Sequence, residues 1–366
     1  MIRFNETIKR FFRFTSKMNK SSIKIKKVLR YFFLTLISLL ILFLVFYHKE
    51  LIYGLGQARG QVSIIWNTRP VSEVLEDVHI ADSIKQKIRL IDEIKAFAKD
   101  SLGLDVKDQY TSFYDQKGKP ILWVVTASEP FELKAFEWSF PIAGSFSYKG
   151  FFDYEKAVEE ERKMRQKGFD TSIDEVGAWS TLGFFNDPIL SGMLYKSPGA
   201  LADLFIHELT HSTLYAKDNV EFNENLASFV GYEGALLFLK SKYGPDSPEL
   251  KDFQNSEEVS DKFADLVLAH SDSLKIFYKT LGSAMSLQDK LKRKEVYLSR
   301  VTTIFRDFLI SNGKKVRKNK NVNNTFFLDY QRYLSKQDEF KIELNTKFNG
   351  NFKRYLDHLK KRYPLL

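Results

Sequence analysis

The 366-residue chain contains no cysteine. Disulfides, thiolate metal ligands and lipid attachment at a cysteine are therefore excluded. Histidine is scarce as well, with six in the whole chain. No internal repeat is visible, and no small-residue cleavage site directly follows Tyr47. Beyond the first thirty residues there is almost no net charge. Residues 1–30 hold ten Lys and Arg and the single acid Glu6, which leaves 46 basic against 45 acidic residues in the remainder of a chain of net charge +10. A basic face on a folded domain is thus not expected, and neither is nucleic-acid binding.

What the chain does have is apolar content, 44% of its residues, with 33 Phe. That is enough for a substantial buried core. Residues 31–47, YFFLTLISLLILFLVFY, run without a charge. With the apolar residues on either side, the stretch is just long enough to cross a bilayer. The lysines and arginines before it place the N-terminus in the cytoplasm and the rest of the chain outside it. The expectation is an uncleaved anchor rather than a signal peptide. The chain then divides into a basic cytoplasmic segment 1–30, a transmembrane anchor 31–50 and one domain over 51–366.

That domain reads as α+β and mostly helical. Residues 71–103 carry helical spacing and close on Gly103. PILWVVTAS (120–128) is a strand, and FEWSFPIAGSFSYKGFF (136–152) a strand or ordered loop, so a small β portion is expected near 105–150. Residues 153–167 form an exposed helix. Ser197 and Pro198 open a helix over 198–216, and another follows from FNENLA to Gly244. Further helices are expected over 257–282, 286–311 and 338–361. The basic stretch 311–321 is a solvated linker, and His270 and His358 are ordinary packed or exposed residues.

Two of the six histidines stand four apart in HELTH, residues 207–211. On a helix, residues at i and i+4 share a face, so His207 and His211 can hold one ion between two imidazoles. Zn²⁺ is the metal that this pattern suggests. Glu208, beside the first histidine, is placed to serve as general base toward an attacking water. The apolar ALADLFI upstream predicts a buried helix. A third ligand is expected from a second helix. Glu224 follows His211 by thirteen positions and is the best placed, with Glu221 and Glu233 as rivals. Asn223 can bond nearby backbone, and Ala227 leaves room for close packing.

HELTH followed by FNENLA resembles the glutamate-type zinc peptidases, the class that includes thermolysin and aminopeptidase N. The bacterial putative aminopeptidase family is closer. YGLGQARGQ (53–61), FPIAGSFSYKGFF (140–152), AWSTLGFFNDPIL (178–190), LADLFIHELTH (201–211), FNENLASFVG (222–231) and NNTFFLDYQRY (323–333) resemble its segments, in its order. The resemblance implies a single zincin-like metallopeptidase domain, with zinc on His207, His211 and Glu224, and peptide or protein substrates. It implies trimming of peptides at the outer face of the bacterial inner membrane. An oxyanion donor is expected from Tyr333 or Tyr148, and a carboxylate for a free α-amine from Glu175 or Asp187. Three departures stand out, one of them the apolar anchor where many family members carry a lipoprotein-type signal. Family members often have cysteines where this chain has Ser139 and Ser145. Thermolysin-like enzymes have a histidine-orienting Asp where this chain has Ser228, a weaker orienter. An endopeptidase of the same fold, or a non-catalytic membrane-anchored interaction protein, are the alternatives.

Overall fold

The computed structural model describes residues 29–140, 144–176, 186–217, 219–316, 322–333 and 337–363. The chain separates into two compact units, Met1–Gln61 and Val62–Leu366. In the first, helix α1 (Leu29–Phe46) has a mean hydropathy of 2.4 and no buried residue. It is long and apolar enough to cross a membrane, as an anchor or as a signal sequence. Helix α2 (His48–Trp66) begins in the first unit and ends in the second.

The second unit is mostly helical. The helical spacing over 71–103 resolves into α3 (Val71–Glu76), α4 (Asp82–Phe97) and a π-helical turn, Ala98–Leu102, that closes on Gly103 at φ 77°. Asp77 is drawn into a 3.0 Å ion pair with Arg69 and accepts the His79 N–H, so the chain turns instead of continuing its helix. Strand β1 (Arg69–Pro70) pairs antiparallel with β2 (Ser112–Tyr114).

The main sheet has β3 (Trp123–Ser128) at its centre, and its two neighbours are both antiparallel to it. One is β6 (Tyr148–Phe151); the other is β7 (Asp170–Glu175). The β content thus extends beyond 105–150. Strand β7 reads DTSIDE, too polar to signal itself, and its pairing to the buried strand makes it extended. A hairpin of β4 (Trp138–Phe140) and β5 (Gly144–Phe146) sets Ser139 opposite Ser145, with hydroxyls 2.8 Å apart. Helix α5 (Tyr154–Gln166), capped by Asp153, packs Ala157 and Met164 inward. Strand β8 (Ile189–Leu190) lies parallel to β2. Residues 178–185 of the AWSTLGFFNDPIL segment lie outside the described residues.

Then come α6 (Pro198–Thr213) and α7 (Val220–Tyr243), an antiparallel pair with the most extensive helix contact among the described residues. They are followed by α8 (Pro248–Lys279), α9 (Leu287–Ser311) and α10 (Asn324–Tyr333). Helix α8 starts nine residues before the expected 257, capped by Ser247 with Pro248 in its first turn. The helix expected over 338–361 is two, α11 (Gln337–Phe348) and α12 (Phe352–Arg362), separated by a turn at Asn349 and Gly350, both at positive φ.

Two apolar clusters result. The larger gathers Ile88, Ile91 and Ile94 of α4 with Phe205, Leu209, Val230 and Leu356. The smaller joins α8, α9 and α10 through Phe263, Phe305 and Phe327. Asn324 fixes the smaller cluster to the sheet region. It donates to the Glu129 carbonyl, accepts from the Tyr278 hydroxyl at 2.6 Å, and bonds Asp170 through its backbone N–H. Asp170 also holds the buried Lys294 ammonium at 2.6 Å.

Candidate metal centre

Helix α6 begins where Ser197 accepts the Ala200 N–H, and eleven of its residues, Glu208 and His211 among them, are buried. Helix α7 begins at Asn219, whose side chain accepts the Phe222 N–H at 3.2 Å. The loop between them is clamped by the buried Asn223. Its amide oxygen accepts from the Ala216 N–H at 2.7 Å, and its amide nitrogen donates to the Ala216 carbonyl at 2.8 Å. This fixes the register of α7 against α6 and so places Glu224.

The two helices bring three donors together. His207 Nε2 and His211 Nε2 are 3.2 Å apart, and Glu224 Oε2 is 3.6 Å from each. His207, His211 and Glu224 are the one group of metal-capable side chains found among the described residues. The triangle suits a metal ion. Ligands at about 2.0–2.1 Å from a tetrahedral zinc lie about 3.3–3.4 Å from one another. Two imidazole lone pairs and a carboxylate at this separation also require a positive charge among them. Burial alone would raise the Glu224 pKa, but the two imidazoles bonded to it outweigh burial and hold the carboxyl well below the usual range. Burial likewise opposes protonation of His207. Glu224, Glu208 and Asp203 reverse that effect and raise its pKa. The rival carboxylates are placed elsewhere. Glu233 pairs with Lys341 at 2.7 Å, and Glu221 lies in the first turn of α7.

Glu208 is buried, and its charge acts on both His207 and the phenol of Tyr110. Tyr110 is wholly buried, its ring edge-on to Phe205 at 4.6 Å. Burial first, then the charges of Glu208 and Asp187, push its pKa up. His211 Nδ1 is buried without a hydrogen-bond partner, and among the described residues Ser228 bonds neither imidazole. Two carboxylates outside the donor triangle act on His207: Glu208 beside it and, more weakly, Asp203 one turn earlier on α6.

Beside His207 opens a cavity of about 480 Å³, lined by residues from α6 to α10. Two stripes at i, i+4, i+8 face one another across this region: Asp203, His207 and His211 on α6, and Glu224, Ser228 and Tyr232 on α7. Glu257, Ser260 and Asp261 of α8 and Lys314 after α9 add to its polar lining. Burial raises Asp203 to about 6. Burial, with repulsion from Asp203 and Asp261, raises Glu257 to about 7. Asp203 was legible as the start of a stripe. Glu257 carried no local signal, because it reaches the site only through the packing of α8.

Tyr148 lies on β6 at 42% exposure, and Tyr333 ends α10 with its side chain outside what is described. Tyr148 is not among the described residues lining the cavity; the phenols there are Tyr232 and Tyr330. Glu175 ends β7, and Asp187 is buried beside Gln109 and Tyr110, again away from the cavity lining. His270 and His358 pack against Phe305 and Phe348.

A family model described as putative aminopeptidase matches residues 52–363. No curated protein and no solved structure matches the chain.

Proposed function

The chain belongs to the putative aminopeptidase family, a peptidase family by that description, and from that premise we propose that it is a zinc-dependent peptidase of zincin-like fold held at the membrane by α1. The observation that carries this reading is the donor triangle of His207, His211 and Glu224, with buried Glu208 one residue from the first histidine. The three donors would hold zinc. When bound there, zinc supplies Lewis acidity, bringing the pKa of a water toward neutrality and polarising a carbonyl. Glu208 takes the proton of the attacking water on its carboxylate and returns it to the nitrogen of the peptide bond that breaks. That carboxylate is buried in the wall of α6, and burial limits its movement. A phenol donates to the oxygen that gains negative charge. Tyr232 and Tyr330 line the cavity beside His207, and Tyr333 is one turn beyond Tyr330 on α10.

Basic residues 1–30 before α1 support an N-terminus in the cytoplasm and a catalytic domain on the outer face of a bacterial inner membrane. Substrates are then peptides or proteins of the envelope.

The test is metal content and hydrolysis on the full chain in detergent. Elemental mass spectrometry should count about one zinc per chain, lost in His211→Ala. Glu208→Gln should keep the zinc and lose peptide hydrolysis by about 10²–10⁴-fold. A protein that takes up no zinc when supplied with it, or a fully active Glu208→Gln, overturns the reading.

A further inference from the structure

Helix α2 turns its more apolar face to solvent. The inward face carries buried Ile64 with half-buried Gln57, Gly60 and Gln61. The opposite face carries Ile52, Leu55, Arg59, Val62 and Trp66, three and four residues apart and so aligned along one side of the helix. Its four apolar members are 64%, 71%, 60% and 85% exposed. A Cβ on Gly54 or Gly56 would meet nothing within 4 Å, so no neighbouring element closes over the helix there. A continuous apolar row of this kind marks a surface that meets something other than water.

Charge and chain length select the partner. No Asp or Glu occurs between residues 51 and 72, and the charged residues there are Arg59 and Arg69. Helix α1 ends at Phe46, two residues before α2 begins. With α1 in a bilayer, Ile52 is at most about 9 Å beyond its end, at headgroup level. An upright α2 would lift Trp66 about 30 Å from that end, whereas an α2 lying flat keeps the whole row at one depth. Tryptophan and an arginine on an apolar face suit that depth, the ring at the boundary and the guanidinium on phosphate. A second copy fits less well. Copies anchored by α1 run parallel, and this spacing would set Arg59 against Arg59 at the seam.

We propose that α2 lies along the surface of an anionic bilayer, with Ile52, Leu55, Val62 and Trp66 sunk to the acyl boundary and Arg59 on lipid phosphate. This rests on the reading of α1 as a membrane anchor and adds a second seat to it. A short apolar row binds lipid reversibly, so α1 holds the chain through an alkaline wash and α2 sets its posture. The chain then leaves the bilayer surface at Trp66 rather than at Phe46.

The chain has no cysteine, so Val62→Cys supplies one thiol for a nitroxide label. Lys251→Cys, on the exposed face of α8, supplies the control. The full chain carrying either label is reconstituted into vesicles of phosphatidylethanolamine and phosphatidylglycerol. Spin relaxation is read with oxygen, which concentrates in lipid, and with a water-soluble nickel chelate. The label at position 62 should collide more with oxygen than with nickel, and the label at 251 the reverse. Adding Arg59→Glu should raise nickel collisions at position 62. A second measurement leaves Val62 in place: brominated lipid should quench tryptophan emission, and Trp66→Phe should remove most of that quenching. Nickel-dominated collisions at position 62 overturn the proposal, as does quenching that Trp66→Phe leaves unchanged. Spin–spin broadening between labels at position 62, lost on dilution with unlabelled chain, assigns the row to a second copy and also overturns it. Sequencing of the mature N-terminus separates this proposal from the reading it rests on. If residues 1–47 are kept and the label at 62 meets nickel in the vesicles, the anchor stands and the seat fails. If residues 1–47 are lost and the label still gains oxygen collisions when excess anionic vesicles are added, the anchor fails and the seat stands.

Discussion

Gly231 of α7 lies so close to Asp203 of α6 that a Cβ there would be 2.6 Å from the Asp203 carboxylate and 3.0 Å from its carbonyl oxygen. The same Cβ would be 3.2 Å from His207 Cβ. Glycine is therefore what permits the helix approach that carries Glu224 to the histidines. Gly231→Ala should push the helices apart. The alanine gains about 1 kcal/mol in helix propensity, and the overpacking costs about 1–3 kcal/mol. The expected outcome is a net loss of stability and a weakened zinc site, read as a lower melting temperature and as faster zinc loss to a chelator. A variant that melts higher and holds zinc as tightly would show the contact to be slack.

Asn223 stands one residue before Glu224 of the donor triangle. Asn223→Ala removes both bonds to Ala216 and leaves a buried N–H and C=O unsatisfied, at a cost of about 1–3 kcal/mol for each group so exposed. Urea unfolding should move to lower concentration, and the dissociation constant for zinc should rise by about ten-fold or more. Asn223→Asp should fare no better, since it keeps the acceptor, loses the donor and buries a charge.

The helix pair and its donors were legible because they are local. Ser197 with Pro198, Gly244, and the i and i+4 histidines all lie within one hairpin, and the loop is too short to carry Glu224 far. Asp203 extends the same stripe one turn back and was overlooked, because an Asp followed by apolar residues reads as the polar face of a buried helix. Ser228 was expected to orient a histidine on analogy with an Asp; its hydroxyl lines the cavity instead. Glu257, Asp261 and Lys314 are brought to the site by the packing of α8 and α9, and nothing in their neighbours' spacing encodes that. The break at Asp77 goes with a local turn, in which its carboxylate accepts the His79 N–H beside an ion pair with Arg69.

Glu257 should make stability depend on pH. Its folded pKa is raised from 4.5 to about 7, burial being the larger cause. Its contribution is fully present below pH about 4.5, where the carboxyl is protonated in both states, and is lost as pH rises through about 7. Glu257→Gln should therefore melt higher than the parent at pH 8, and the difference should close by pH 4.5. Melting curves at the two pH values check this; a constant difference would mean that Glu257 is solvated.

Deletion of residues 1–47 should free the protein from the membrane. The full chain should sediment with membranes and resist alkaline carbonate, while the truncated chain stays in the supernatant. Sequencing of the mature N-terminus distinguishes an anchor, which keeps residues 1–47, from a signal sequence, which loses them.

The cavity beside His207 is walled from two unrelated stretches of chain. The donor triangle proposed to hold metal lies within residues 207–224, whereas the apolar wall comes from Val259, Phe263, Leu309 and Tyr330. Substitutions in that wall can enlarge, narrow or recharge the chamber without displacing a single donor. The shape of the chamber and the placing of the donors are thereby set by separate parts of the sequence, each free to change alone.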